Sequence, residues 1–220
     1  MANGIQAKTA PQVQSDERSK GERTRARLLD LAYEAMIAKG FAATSVEELV
    51  DGAGISKSGF FYHFRDKNDL ARQVVARYRR QNEELLDRVE ARARELSDDP
   101  LHSFLIYLRL YAEAVEGGLD LTPGCLVATV TYQERSFAHD VRQANAEMVA
   151  AWRDRVRRWL DDIVRVYRPN AEIDVEALAD AAWSTIFGAF TVAKTLGRPG
   201  VVSDQILLYR DTVRRLFAER

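Results

Sequence analysis

TSVEELVDGAGISKSGFFYHFRDK, residues 44 to 67, is the stretch that decides the fold of this chain. Ser45 precedes Glu48 by three residues, the capping-box spacing that begins a helix. That helix is predicted to end near residues 52 to 54, because the glycines there adopt the left-handed conformation of a helix C-terminus without steric cost. Ser56 then caps a second helix. The stretch therefore predicts two short helices joined by a glycine-containing turn, which is a helix-turn-helix.

The composition of the second helix suits the major groove of DNA. A recognition helix places its first residues at base edges, where lysine donates to guanine and serine contacts either base partner. Asp66 can cap a third helix that begins at Lys67, and the first amides of that helix would attract a phosphate. The predicted DNA-contacting residues are Ser45, Ser56, Lys57, Ser58, Gly59, Phe60, Tyr62, His63 and Lys67.

The 220-residue chain has the composition of an ordinary globular protein, with 46% apolar and 30% charged residues. Its formal net charge of −1 gives no general affinity for nucleic acid, so a basic surface must be local. A local cluster begins the first predicted helix and adjoins the helix-turn-helix, which favours contact with a phosphate backbone. The cluster consists of Arg18, Lys20, Arg23, Arg25 and Arg27.

Residues 1 to 17 are polar and lack periodicity, which predicts a disordered tail. They lack the apolar core of a signal peptide, and no stretch has the run of apolar residues that a membrane span needs. The single cysteine, Cys125, excludes an intrachain disulfide and agrees with a reducing compartment. These features predict a cytoplasmic protein with no membrane partner.

Apolar residues recur at three- and four-residue spacing along most of the chain, and no sustained two-residue alternation occurs. The predicted fold class is therefore all-α. A three-helix DNA-binding head is expected over residues 18 to 67, followed by a helical bundle over residues 68 to 220. A long helix from Lys67 to about Leu96 would join the two parts. Later helices are predicted over residues 101–115, 125–134, 141–167, 175–196 and 204–219, with a loop, LDLTPGC, at 119–125.

The segment from Val175 to Leu196 is apolar on nearly all sides, which a helix on the surface of a monomer cannot be. Gly188 and several alanines would let a second helix approach closely. With the last helix of the chain, this segment predicts an intersubunit four-helix bundle. The predicted dimer contacts are Trp183, Phe187, Ala189, Phe190, Ala193, Val213 and Phe217.

Reactive side chains are few and scattered, so no catalytic residue, metal site or cofactor is predicted. The helices after residue 100 are rich in aromatic residues instead. Such residues line apolar ligand pockets, although at helical spacing they also form ordinary cores. The candidate effector-binding residues are Tyr107, Tyr111, Cys125, Tyr132, Trp152, Trp183 and Phe187.

The sequence GFAATSVEELVDGAGISKSGFFYHFRDKNDL, residues 40 to 70, resembles the DNA-binding domain of the TetR/AcrR family. The resemblance includes Gly40 and Phe41 after the first helix, the aromatic Phe64, and Lys67, which in the family meets phosphate. Two features depart from the family pattern. The glycine that usually follows Ser-Lys comes one residue later, and Phe61 replaces a tyrosine that commonly binds phosphate.

This resemblance implies a homodimeric transcriptional regulator, by default a repressor. It implies two partners besides the second protomer. One is a palindromic double-stranded DNA operator, and the other is a small-molecule effector that releases the repressor from this operator. Residues 68 to 220 would form the effector-binding and dimerisation domain. Two alternatives remain open at this stage. One is a redox- or electrophile-sensing repressor that acts through Cys125, and the other is a helical protein-interaction module without DNA binding.

The first alternative depends on the string PGCLVATVTYQE, residues 123 to 134, which is similar to the Gly-Cys-Leu segment of one TetR-like effector-domain group. Some members with a cysteine there respond to electrophiles or oxidants, and others bind small organic molecules. A position at a helix N-terminus would lower the pKa of the Cys125 thiol and make it reactive. The other interpretation is a small, buried apolar residue at the start of a helix.

Overall fold

The computed structural model describes residues 19 to 118 and 125 to 217. Within those ranges the chain forms nine α-helices, one short 3-10 helix and no strand, which confirms the all-α prediction. The predicted disordered tail, most of the loop at 119–125 and the end of the last predicted helix lie outside the described residues. The helices are α1 (Lys20–Lys39), α2 (Val46–Ala53), α3 (Lys57–His63), α4 (Lys67–Leu96), α5 (Pro100–Gly118), α6 (Leu126–Tyr132), α7 (His139–Val166), α8 (Val175–Leu196) and α9 (Val201–Phe217).

Side-chain caps fix the starts of the first four helices. The Ser45 hydroxyl accepts a hydrogen bond from the amide of Glu48 at 3.1 Å, and the Ser56 hydroxyl accepts one from Gly59 at 3.2 Å. Asp66 caps α4 in the same way. These hydrogen bonds satisfy amides that have no partner within their own helix, so the short helices α2 and α3 begin at defined residues.

The first three helices and the start of α4 surround one apolar core. It contains Leu28 and Met36 from α1, Leu49 from α2 and Phe60 from α3, all almost fully buried. Further along the chain, α6, α7 and the segment between them add residues to the same cluster: Leu126, Val130, Phe137 and Val141. The three-helix unit therefore packs directly on α6 instead of being attached only through α4.

The second core lies among α5, α7, α8 and α9 and includes the buried rings of Phe104 and Trp159. Helix α4 contributes to both cores. Its first turns bury Leu70 and Val74 in the first cluster, and its later turns bury Leu86 in the second. This one continuous helix of 30 residues therefore links the two units mechanically.

Helix α8 packs mainly within its own protomer, which corrects part of the predicted dimer interface. Ala189 and Ala193 are buried, and so are Trp183 on the same helix and Val213 and Phe217 on α9. These side chains lie on the faces that α8 and α9 turn toward the second core, so they contribute to that core and cannot contact another protomer. No helix of the described residues is long and apolar enough to cross a membrane.

Gly40 ends α1 in a conformation that other residues rarely adopt, with φ 87° and ψ 163°. A Cβ atom here would also displace the amide end of the Gln133 side chain, which accepts a hydrogen bond from the Phe41 amide. We expect Gly40→Ala to lower the free energy of unfolding by about 3 kcal/mol, measured by urea denaturation.

Gly54→Ala is the matched control for Gly40→Ala. Gly54 also has positive φ, at 66°, but its missing Cβ would meet no neighbour within 4 Å. The control substitution should lower the free energy of unfolding by about 1 kcal/mol. Equal losses in the two variants would show that the contact with Gln133 contributes nothing.

Candidate nucleic-acid interface and ligand cavity

The first residues of α3 form an exposed surface suited to a DNA groove. Ser56, Lys57 and Ser58 are exposed, and Tyr62 is 83% exposed near the end of the helix. Gly59 and His63 are partly exposed. Most of the predicted α3 contacts therefore share one accessible side of the helix, where they can reach base edges and phosphates.

Phe60 is the exception, and its predicted role as a DNA contact is corrected. Its ring is fully buried in the first core and packs against Phe64 with a centroid separation of 5.5 Å. Phe64, which follows the last residue of α3, is buried in the same core, so both rings contribute to packing. The neighbouring Phe61 is half exposed and offers its ring to the surface instead.

An ion pair restrains Lys57, the first residue of α3. The Lys57 ammonium donates to the Glu47 carboxylate on α2 at 2.7 Å, and both side chains are largely exposed. This hydrogen bond lowers the pKa of Glu47, which remains negatively charged at neutral pH. Contact of the Lys57 ammonium with a nucleic acid therefore competes with its ion pair to Glu47.

Lys67 lies at the start of α4, with its ammonium 4.3 Å from the centroid of the Phe41 ring. It also donates to the carbonyl oxygen of Ala42 at 3.4 Å. Partial burial, followed by the nearby Lys39 ammonium, lowers the pKa of Lys67 from its ordinary value. Phe41 and Ala42 thus hold the ammonium in place at the start of α4. Ser45, which caps α2, is exposed.

Part of the predicted basic cluster has a structural role. Arg27 donates to the carbonyl oxygen of Gly52 at 2.8 Å and so ties α1 to the end of α2. The Arg25 guanidinium lies 5.6 Å from the centroid of the Phe64 ring. These arginines stabilise the three-helix unit in addition to supplying positive charge, a use that sequence alone could not separate from phosphate contact.

A cavity of about 180 Å³ lies where α1, α4, α5, α7 and α8 meet. Five of the predicted effector-binding residues line it together: Tyr111, Cys125, Trp152, Trp183 and Phe187. Three residues that the sequence analysis did not select complete the side nearest the three-helix unit, namely Tyr33, Tyr78 and Asn82. Tyr33 and Tyr78 belonged to regular apolar stripes of their helices, and nothing local distinguished them from core residues.

Aromatic rings form a continuous wall along this cavity. Tyr33 stacks on Tyr78 with a centroid separation of 6.0 Å, and Tyr78 meets Trp152 edge-on at 6.4 Å. Trp152 stacks on Trp183 at 5.0 Å, and Trp183 contacts Phe187 at 6.0 Å. The wall runs from α1 to α8 and offers flat apolar surfaces to a ligand.

Two predicted effector-binding residues, Tyr107 and Tyr132, do not line this cavity. Tyr107 is buried between Phe104 and Tyr111, where its ring stacks on both. Tyr132 is 78% exposed on α6 and borders a separate, open pocket between α1, α6 and α8. Tyr107 borders a smaller cleft together with Tyr111 and Trp183.

Cys125 lies at the N-terminus of α6 and is buried. Burial raises the pKa of its thiol, while the amides of Ala128 and Val127 and a hydrogen bond with Tyr78 offset this only in part. The predicted effect of the helix N-terminus is therefore outweighed by desolvation. Within the described ranges, no group of histidine, cysteine, aspartate and glutamate side chains is placed to hold a metal ion.

Comparison with known proteins identifies the class to which this architecture belongs. Residues 28 to 74 match the family model for bacterial regulatory proteins of the tetR family. The transcriptional regulator AcuR of Cereibacter sphaeroides is 26% identical over 196 residues, which cover 88% of this chain and 84% of that protein. The transcriptional repressor KstR2 of Mycobacterium tuberculosis is 23% identical over 175 residues, which cover 74% and 79% of the two chains.

The crystal structure of a regulatory protein TetR from Rhodobacter sphaeroides has a similar fold, with a TM-score of 0.70 at 24% identity. The match covers 91% of this chain and all of that one. The fold and the exposed recognition helix thus define a helix-turn-helix transcriptional regulator. Residues 28 to 74 match the tetR-family model, and the similar regulators and the similar fold support the TetR/AcrR family for this chain.

Proposed function

We propose that the chain acts as a dimeric repressor that binds a palindromic DNA operator and is released from it by a small organic effector. The observation that carries the proposal is the course of α4. This helix begins with Lys67 at the recognition surface and places Tyr78 and Asn82 in the aromatic cavity. Residues 18 to 67 would be the DNA-binding head and residues 68 to 220 the effector-binding and dimerisation body. A chromosomal operator would place the protein in the cytoplasm.

The proposed dimer interface is the outer face of α8 and α9. The large apolar side chains of Val192, Leu196 and Leu208 expose 44%, 58% and 55% of their surfaces on these two helices. Ser184 and Gly188 are exposed on the same side of α8, where small residues let a second helix approach closely. Two copies of this face would form a four-helix bundle, with interface residues one helical position away from those predicted by sequence.

Release from DNA follows from the spacing of the two recognition helices. In a dimer they must lie roughly 34 to 36 Å apart to enter successive major grooves on one side of DNA. A tilt of each α4 changes that spacing. A ligand that fits the cavity better in the tilted state shifts the protein toward it by its differential affinity, typically about 1 to 3 kcal/mol.

The ion pair between Glu47 and Lys57 provides a test of DNA binding by α3. We expect Glu47→Gln to tighten binding to duplex DNA about two- to fivefold at low salt, because it frees Lys57 and removes a negative charge beside the phosphates. Fluorescence anisotropy with a labelled duplex measures the change.

Glu95→Gln is the matched control for Glu47→Gln. Glu95 also pairs with a basic residue on an exposed surface, Arg92, but at the far end of α4. The control should leave the affinity unchanged. Equal affinities of wild type and Glu47→Gln would place the DNA surface elsewhere, and absence of any duplex binding would favour a protein-interaction module.

The burial of Cys125 argues against the alternative of an electrophile sensor. A raised thiol pKa leaves little thiolate at neutral pH, and thiolate is the reactive species. We expect N-ethylmaleimide to leave DNA binding by wild type and by Cys125→Ser equally unaffected at pH 7 over minutes. If N-ethylmaleimide released wild type from DNA but not Cys125→Ser, the electrophile-sensor alternative would be supported. The fraction of alkylated protein, measured by mass spectrometry, should rise with pH as more thiolate forms.

A further inference from the structure

The aromatic cavity is shared between the two units of the fold. Tyr33 belongs to α1, the first helix of the DNA-binding head, yet its ring lines the cavity and stacks on Tyr78 of α4. The opposite side of the cavity is formed by α5, α7 and α8 of the body. A molecule in this cavity would therefore touch the head directly.

The cavity offers hydrogen-bond donors that the protein leaves unused. Among the described residues, the buried indole N–H groups of Trp152 and Trp183 have no hydrogen-bond partner. The phenols of Tyr33 and Tyr111 border the same cavity, whereas the Tyr78 phenol is engaged with Cys125. Burial raises the pKa of both Tyr33 and Tyr111, so both remain protonated at neutral pH. Each phenol can therefore donate a hydrogen bond to an acceptor atom on a ligand.

The walls also define the charge and shape of a ligand. None of the side chains described around the cavity is an acid or a base that could neutralise an ion. Burying an ionised group without such a partner is costly. The cavity volume of about 180 Å³ lies below the roughly 300 to 1,000 Å³ of ordinary ligand pockets, and its rings present flat faces. A small, planar and uncharged molecule fits these conditions.

We propose that the cavity binds a small uncharged aromatic molecule with a hydrogen-bond acceptor, which Tyr33 of the head and Tyr111 of the body contact from opposite sides. This inference rests on the proposed function in treating the cavity as the effector site, and it names the chemical class of the effector.

Direct contact with Tyr33 gives the ligand a second route to the head besides α4. The end of α1 is tied to the body by two hydrogen bonds. Lys194 of α8 donates to the carbonyl oxygen of Ile37 at 2.8 Å, and the amide of Phe41 donates to the side chain of Gln133 at 3.0 Å. A ligand that moves Tyr33 moves α1 against both attachments, and thereby shifts the recognition helix.

The test uses three matched compounds and the full chain without DNA. Acetophenone carries an aromatic ring and a carbonyl acceptor, ethylbenzene lacks the acceptor, and benzoate carries a negative charge. Ligand-observed NMR titration should show saturable binding of acetophenone, with binding of the other two weaker by fivefold or more. Tyr33→Phe keeps the ring and removes the hydroxyl, and it should weaken acetophenone binding by about three- to tenfold. Tyr111→Phe should do the same.

Tyr132→Phe is the control, because this exposed tyrosine lies outside the cavity. It should bind acetophenone like wild type. Unchanged binding in Tyr33→Phe, a preference for benzoate, or no saturation of acetophenone up to 10 mM would each overturn the proposal.

A separate measurement of DNA binding distinguishes this inference from the proposed function. If acetophenone binds through Tyr33 but saturating ligand leaves DNA affinity unchanged, the site is correct and its role in release is wrong. If acetophenone releases DNA equally from wild type and from Tyr33→Phe, release is correct and the contact with Tyr33 is wrong.

Discussion

Replacing Val192 and Leu208 together with glutamate is expected to convert the dimer into monomers and to weaken operator binding about a hundredfold or more. Both side chains are exposed in the protomer, so the change leaves its two cores intact. In the dimer, the same positions would bury four unpaired carboxylates. A monomer has one recognition helix and loses the avidity of two linked sites, typically a factor of about 10² to 10⁴. Sedimentation velocity and fluorescence anisotropy measure the two effects.

The control is Val166→Glu, since Val166 is 65% exposed near the end of α7. This variant should remain dimeric and bind DNA like wild type. A double variant that is still dimeric would place the interface on another surface. The same charge at Ala189 or Ala193 would give a different result, because those residues are buried in the protomer and their substitution would unfold it.

The second large effect concerns Lys67 and the phosphate backbone. If the dimer neutralises six or more phosphates, wild-type affinity should fall by about a thousandfold or more between 50 and 200 mM salt. Lys67→Ala should weaken binding to every duplex and reduce the slope of log affinity against log salt by about one per protomer. Anisotropy titrations at four salt concentrations give both quantities.

Two controls separate phosphate contact from base recognition. Arg92→Ala removes an exposed positive charge at the far end of α4 and should change neither affinity nor slope. Lys57→Ala should also alter which base is preferred, because Lys57 begins the recognition helix. Wild-type affinity and slope in Lys67→Ala would contradict the assignment of Lys67 to phosphate.

Local signals predicted the helices of the head because their chemistry is local. The serines at 45 and 56 and the aspartate at 66 cap helices by hydrogen bonds to amides within three residues, so sequence spacing alone identifies them. Gly54 adopts the left-handed conformation expected of it. Phe60 was assigned incorrectly because its position near the start of α3 suggested the groove, while its spacing from Phe64 placed it in the core.

The cavity and the faces of α8 depend on contacts between residues distant in sequence. Tyr33 reaches the cavity only because α1 packs beside α4 and α6, which no pattern within α1 indicates. The sequence correctly indicated that Ala189 and Ala193 pack against another helix. That helix belongs to the same protomer and not to a second one. An apolar helix signals burial without specifying which surface covers it, so the exposed residues Val192 and Leu208 became evident only in the folded chain.

The most direct test is selection of duplexes from a random library by the full-length protein, followed by sequencing. A dimer with one recognition helix per protomer predicts enrichment of an inverted repeat, with half-site centres about one turn of DNA, or a multiple of it, apart. Affinity for the selected duplex should fall with salt and exceed nonspecific affinity by about a thousandfold or more. Enrichment of a single unpaired half-site, or of no sequence, would contradict a dimeric operator-binding repressor.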